Sequence, residues 1–168
     1  MKKIENLRDL FIEQGRELYG STYQEERALH GIEKQAGNTD LKKLIEQEIT
    51  LTRDQRKRLE GAFSRINASF EIETDPCCES LISQTRELIE RSSEPDVRDA
   101  VIINGMQKLN HLKISGLGTL AAYANQIGEH DTAQAFHEVL EEEWEIDRHL
   151  SRLAERQVNR KAAHELYL

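Results

Sequence analysis

Apolar residues recur at three- and four-residue steps along nearly the whole chain, the pattern of amphipathic helices rather than strands. Residues 4–36 set Ile4, Leu7, Leu10 or Phe11, Leu18, Ala28, Leu29 and Ile32 on one stripe. Gly37-Asn38-Thr39-Asp40 breaks that stripe and supplies an N-cap signal for the next helix. From Leu41 to about Phe70 a second stripe runs through Leu44, Ile45, Leu51, Leu59, Phe63 and Ile66. Asp75-Pro76 marks a turn or helix start, and residues 77–92 predict a shorter helix with Leu81, Leu88 and Ile89 inward. Ser92-Ser93-Glu94-Pro95 opens a long helix that runs to Gln126 or Ile127 and stops at Gly128. The last helix covers residues 130–158, and residues 159–168 are expected to fray as a tail.

The spacing therefore predicts an all-α domain over residues 1–158, with four long helices and one short one. The links between helices one and two and between four and five are short, so each of those pairs is an antiparallel hairpin. The short helix falls in the longer crossover between the hairpins. Two hairpins joined by a crossover is the ferritin-like arrangement, although a plain bundle or a spectrin-like repeat has the same periodicity.

Polar residues interrupt the inward lines at one level. The last helix reads Phe136, Leu140, Glu143, Asp147, Leu150, Ala154, with two acids in an apolar stripe. The fourth reads Ile102, Met106, Leu109, Lys113, Gly116, Leu120, Tyr123, Ile127, with a lysine in it. Glu48, Thr52 and Gln55 fall between Ile45 and Leu59, and Thr22 falls between Leu18 and Leu29. Thr22, Thr52, Lys113 and Glu143 each lie about 15 residues from a hairpin turn, roughly 22 Å along the axis. Buried polar groups are costly unless paired, so such a level is either a mutually satisfied network or a metal or substrate site. A di-iron site wants about four carboxylates and two histidines. Two acids beside an ammonium fit a network better.

An ordered set of short motifs spans about residues 5–155. It comprises Leu18-Tyr19, Thr52 with Arg58-Leu59-Glu60, Leu81-Ile82, Val97-Arg98-Asp99-Ala100 and Gln107-Lys108. It continues with His111, Ile114 with Gly118-Thr119-Leu120, Gln126-Ile127-Gly128, and Leu140-Glu141-Glu142-Glu143 with Asp147. In this set the chain resembles the YciF/YciE-type ferritin-like family, bacterial stress-associated proteins. The resemblance implies a ferritin-like bundle with a carboxylate-rich centre. It also implies that this chain has lost most of that centre. Thr22 stands where the family's first-helix motif has Glu. Leu51-Thr52-Arg53-Asp54-Gln55 stands for Glu-Thr-x-x-His or Glu-Thr-x-x-Gln. Asn110-His111-Leu112-Lys113 stands for Glu-His-x-Glu, and the last helix alone keeps its pair, Glu143 and Asp147.

Removing carboxylates and adding an ammonium inverts the charge logic of a metal centre. Lys113 beside Glu143 and Asp147 leaves the level near −1, with Thr22, Gln55, Asn110 or a proton absorbing the rest. This predicts Lys113 Nζ within about 4 Å of a Glu143 or Asp147 oxygen. No cofactor is expected, and the leading reading is a non-enzymatic, stress-associated protein acting through association or protection. The alternative is a reduced iron or manganese site of Glu143 and Asp147, joined by His111, Gln55 and Glu48, with peroxide or oxygen chemistry.

Composition narrows the partners. The chain has 168 residues with 38% hydrophobic and 32% charged, and a formal charge of −8. Such an acidic surface is a poor match for nucleic acid or an anionic membrane. No run approaches the roughly 20 apolar residues of a membrane span, and no signal-peptide pattern follows Lys2-Lys3, so a cytoplasmic location is expected. Cys77 and Cys78 are adjacent, too close for an ordinary disulfide and with nothing else at metal-ligand spacing beside them. His137–Glu141 and Glu145–His149 each offer two ligands at i, i+4, fewer than a zinc site needs. Arg53, Arg56, Lys57 and Arg58, interrupted by Asp54, read as a solvated face. Gly116-x-Gly118 lies mid-helix and follows no strand, so it marks close helix packing, within a monomer or across a homodimer. Trp144, set among acids, is the candidate anchor for a protein partner.

Overall fold

The computed structural model describes residues 3–66 and 72–164. Its elements are α1 (Leu7–Glu33), α2 (Thr39–Arg65), α3 (Pro76–Arg91), α4 (Pro95–Gln126) and α5 (His130–Leu153). A π-helical turn (Ala154–Val158) leads from α5 into α6 (Asn159–His164). Local chemistry sets the starts. Asn6 caps α1 by accepting from Asp9 N, and Asn38 caps α2 by accepting from Asp40 N and Leu41 N. Asp75 accepts from Cys77 N and Cys78 N, with Pro76 preorganised in the first turn of α3. Gly128, at φ 84°, supplies the left-handed residue that ends α4 and turns the chain into α5.

The α1–α2 and α4–α5 pairs are antiparallel hairpins, as the sequence predicts. Arg8 near the start of α1 donates to Ile66 O at the end of α2, and to Glu129 just before α5. The hairpins pack α1 against α4 and α2 against α5, closing a four-helix bundle. Helix α3 lies outside it, over α1 and α4. That position needs small residues. A Cβ on Gly20 would sit 1.6 Å from Glu73 O, where the crossover passes over α1. Gln24 clamps the same crossover segment, donating to Asp75 O at 3.1 Å and accepting from Asp75 N at 2.8 Å. A Cβ on Gly105 would meet Thr85 at 2.3 Å, so α3 and α4 also approach closely.

Two boundaries differ from the sequence reading. Ile4 precedes α1 and is exposed rather than inward. The last helix does not fray from 159: the π-turn takes up one extra residue and the chain stays helical to His164. The stretch of the second stripe from 67 to Phe70, and residues 165–168, lie outside the described residues.

Among the described residues the core has two apolar clusters. One gathers Phe11, Leu59, Phe63, Leu117, Leu120 and Phe136 at the α4–α5 turn end. Its three phenylalanine rings lie 5.4–6.0 Å apart in tilted and edge-on contacts. The other gathers Leu29, Leu41, Ile45, Ile82, Ile102 and Leu150 at the α1–α2 turn end. On each bundle helix a short polar stretch separates them.

Candidate functional site

That stretch is a layer of buried charge. Helix α1 brings Glu25 to it, α2 brings Glu48, α4 brings Lys113 and α5 brings Glu143. Each sits on the inward stripe of its own helix: Leu18-Thr22-Glu25-Leu29, Ile45-Glu48-Thr52-Gln55-Leu59, Met106-Leu109-Lys113 and Phe136-Val139-Glu143-Ile146-Leu150. Lys113 Nζ lies 2.8 Å from Glu25 Oε2, 3.1 Å from Glu48 Oε1 and 2.9 Å from Glu143 Oε2. Asn110, one turn before the lysine, donates from Nδ2 to Glu143 Oε2 at 2.6 Å and to Glu143 O at 3.1 Å. All five side chains are buried.

Three carboxylates around one ammonium are charge-deficient by more than the sequence reading allowed. Burial pushes Glu48 up to about 8, with Lys113 opposing the shift and Glu143 and Glu25 adding to it. Burial also raises Glu25 against the pull of Lys113. For Lys113 burial works against the charge, but Glu143, Glu25 and Glu48 outweigh it and hold the ammonium well above its usual 10.5. The lysine is therefore charged at neutral pH, and the layer keeps a proton on its acids.

The predicted positions divide. Lys113 and Glu143 meet as expected. Asp147 does not join them. It faces the rim between α4 and α5, where Oδ1 lies 3.1 Å from His111 Nε2 and accepts from Gln107 Nε2 at 3.2 Å. The inward line of α5 is Val139, Glu143, Ile146 and Leu150, one residue off the line through Leu140 and Asp147. On α4, Leu117, Ala121 and Ala124 are inward where Gly116, Tyr123 and Ile127 were expected. Thr22 is buried, but its hydroxyl donates to Tyr19 O of its own helix at 2.7 Å. Thr52 is fully buried, with no hydrogen bond to Oγ1 among the described residues. Gln55 donates away from the layer, to Glu142 at 3.2 Å, and Arg58 also binds that carboxylate.

Glu25 was missed. It lies in the run Gln24-Glu25-Glu26-Arg27, which reads as surface, while Thr22 reads as the polar residue between Leu18 and Leu29. The signal is the line Leu18-Thr22-Glu25-Leu29-Ile32, at alternating four- and three-residue steps, which places Glu25 inward. Its neighbour Glu26 does face outward, pairing with Arg56 at 2.7 Å and with Arg53.

The donor set does not fit a resident metal as it stands. Lys113 Nζ takes the position among the carboxylates where a cation would sit. Among the described residues no group of three His, Cys, Asp or Glu is set to hold a metal ion. His111 is exposed, paired with Asp147, and edge-on to Trp144 at 6.3 Å between ring centroids. Trp144 is 39% exposed. Cys78 is buried and its thiol is pushed up to about 12 by burial and neighbouring acids, which makes it a poor nucleophile. No described helix is long and apolar enough to cross a membrane.

Comparison with known proteins places this chain in a family. Residues 6–163 match the model described as Domain of unknown function (DUF892). Protein YciF of Escherichia coli strain K12 is 34% identical over 164 residues, 96% of each chain. The crystal structure of the E. coli stress protein YciF superposes with a TM-score of 0.89 at 30% identity, over 93% of this chain and 99% of that one. YcfI of Rhodopseudomonas palustris gives 0.87 at 27% identity, over 89% and 96%. A protein of Xanthomonas campestris at 19% identity and a TM-score of 0.74 has the same fold.

Proposed function

The chain belongs to the DUF892 family, and we propose that it is a non-enzymatic, ferritin-like member in which a buried lysine stands where such bundles carry a di-metal centre. The observation that supports the reading is the contact of Lys113 Nζ with Glu25, Glu48 and Glu143 at 2.8–3.1 Å. An ammonium there supplies the positive charge that metal ions would supply, without coordination or redox chemistry. The protein then acts as a structural or protective component in the cytoplasm, in keeping with a relative described as a stress protein.

Metal content tests this. After anaerobic loading with Fe(II) or Mn(II) and desalting, the natural chain should retain almost none. Lys113→Glu, which gives the layer a fourth carboxylate and no ammonium, should retain some. One or two ions held per natural chain would overturn the reading in favour of an iron or manganese protein. Glu48 Oε2, Glu143 Oε1 and Asn110 Oδ1 are the observation on that side, since none has a hydrogen-bond partner among the described residues. Association is proposed to be as a homodimer with Trp144 at the contact. Sedimentation of Trp144→Ala as a monomer, against a dimeric natural chain, would support it.

A further inference from the structure

Away from the charged layer, at the α1–α2 turn end, the last turns of α1 and α3 and the first turn of α4 line an open cleft of about 390 Å³. That volume lies within the roughly 300–1,000 Å³ of small-molecule sites. Its floor is apolar, formed by Ile32 and Ile89, both buried. Its polar groups are two guanidiniums, Arg86 and Arg98, with Glu90 and the amide of Gln35.

The two arginines differ from those elsewhere on the surface. Arg53 and Arg56 converge on Glu26, Arg58 binds Glu142 and Arg91 binds Glu87. Arg86 makes no hydrogen bond or ion pair among the described residues, although Glu90 lies one turn along its own helix. Arg98 is half-buried and held in place by its own NH2, which donates to Ser92 O at 3.0 Å and Ser93 O at 3.5 Å. It has no carboxylate partner among the described residues. One guanidinium is thus fixed by backbone carbonyls with its remaining donors unspent, and a second stands unpaired at the same opening. Gly31 forms part of the wall, and a Cβ placed there would meet nothing within 4 Å. The space above the isoleucines is left open by the absence of a side chain.

We propose that this cavity binds a small amphipathic carboxylate, with its head group on Arg86 and Arg98 and its hydrocarbon on Ile32 and Ile89. The guanidinium fork matches a carboxylate in geometry and gives charge-assisted bonds. Two cations and one acid leave the lining with a single net positive charge. The amino end of α4 beside Arg98 favours an anion and offsets the carbonyl ends of α1 and α3, while Glu90 in the lining disfavours a dianion, which selects the carboxylate over a phosphate monoester. The apolar floor disfavours inorganic anions, which have nothing to bury there.

The test uses octanoate as the probe with the full chain, read by calorimetry and by chemical shifts of Ile32 and Ile89. The proposal expects saturable binding of one octanoate per chain. Arg86→Gln should weaken it by about tenfold, the loss of one charge-assisted contact. Glu90→Gln should tighten it. Gly31→Leu should abolish it by filling the cavity, with the thermal melt unchanged or raised because leucine is the better helix former. Octanol and inorganic phosphate should each bind at least about tenfold more weakly than octanoate. No saturable octanoate binding, equal binding of octanol, or binding unaffected by both Gly31→Leu and Arg86→Gln would overturn the proposal.

Discussion

Lys113 has one charge to share among three buried acids, so its removal exposes them all to their own repulsion. Breaking a buried ion pair from one side costs about 3–5 kcal/mol, far more than a surface pair is worth. Lys113→Met should therefore lower the stability measured by urea unfolding at neutral pH by about that amount. The loss should shrink in acid, where the carboxylates are protonated. The natural chain carries its own pH signature. Folded Glu48 keeps a proton up to about 8, whereas the unfolded chain releases it near 4.5, so the folded state binds more protons between those values and stability falls as pH rises through them. Glu25 is raised too and acts in the same direction. Lys113 adds stability below 10.5 that is lost as pH climbs through its higher folded value. Glu26 is lowered by Arg53 and Arg56 despite some burial, and its contribution is lost only in acid, below this window. Urea midpoints should drop between about pH 5.5 and pH 8, and Glu48→Gln should flatten that drop while keeping the side-chain shape. A flat natural profile would refute the buried proton. At this scale the sequence disclosed Lys113, Glu48 and Glu143 as polar residues on apolar stripes. It misassigned Asp147, because on an α-helix neighbouring lines through Phe136 differ by a single residue at each turn.

At the scale of elements, two glycines make opposite demands. Gly61 faces open space, so Gly61→Ala should stabilise by about 0.5–1 kcal/mol through helix propensity and a less free unfolded chain. Gly20 underlies the crossover backbone, so Gly20→Ala should destabilise despite the same propensity gain, because Glu73 O must move. Paired thermal melts of the two variants separate the effects, and a stabilised Gly20→Ala would show that the crossover does not need the close approach. Asp99 is a second junction. Fully buried on α4, it accepts from Gly37 N at 2.7 Å and Asn38 N at 2.8 Å, tying the α1–α2 turn to the opposite hairpin. Asp99→Ala should cost about 2 kcal/mol in chemical unfolding, the loss of two charge-assisted bonds to backbone donors. Element boundaries were legible because Asn38, Asp75-Pro76 and Gly128 act on adjacent residues. The buried role of Asp99 was not, since its partners are more than sixty residues away. Nor was the true inward line of α4, which is apolar on several sides because α1, α3, α5 and α6 all pack on it.

At the scale of the whole molecule, the charged layer divides two apolar cores that would otherwise be continuous. Replacing Lys113 with Met and Glu25, Glu48 and Glu143 with Leu together should leave stability unchanged or raise it by about 1–4 kcal/mol in a thermal melt. That is the opposite sign to the single Lys113→Met change. The natural layer consequently has a use other than adhesion. Leucine and isoleucine stripes look much alike after a slide of one turn, about 5.4 Å, and grease alone ranks the slid arrangements as near equals. One lysine that must face an acid from each of the other three helices has no such tolerance. It works as an index mark, telling every rod in the bundle how far to travel. The all-apolar variant should melt no lower and yet blur, its amide spectrum splitting among neighbouring alignments that the natural chain refuses.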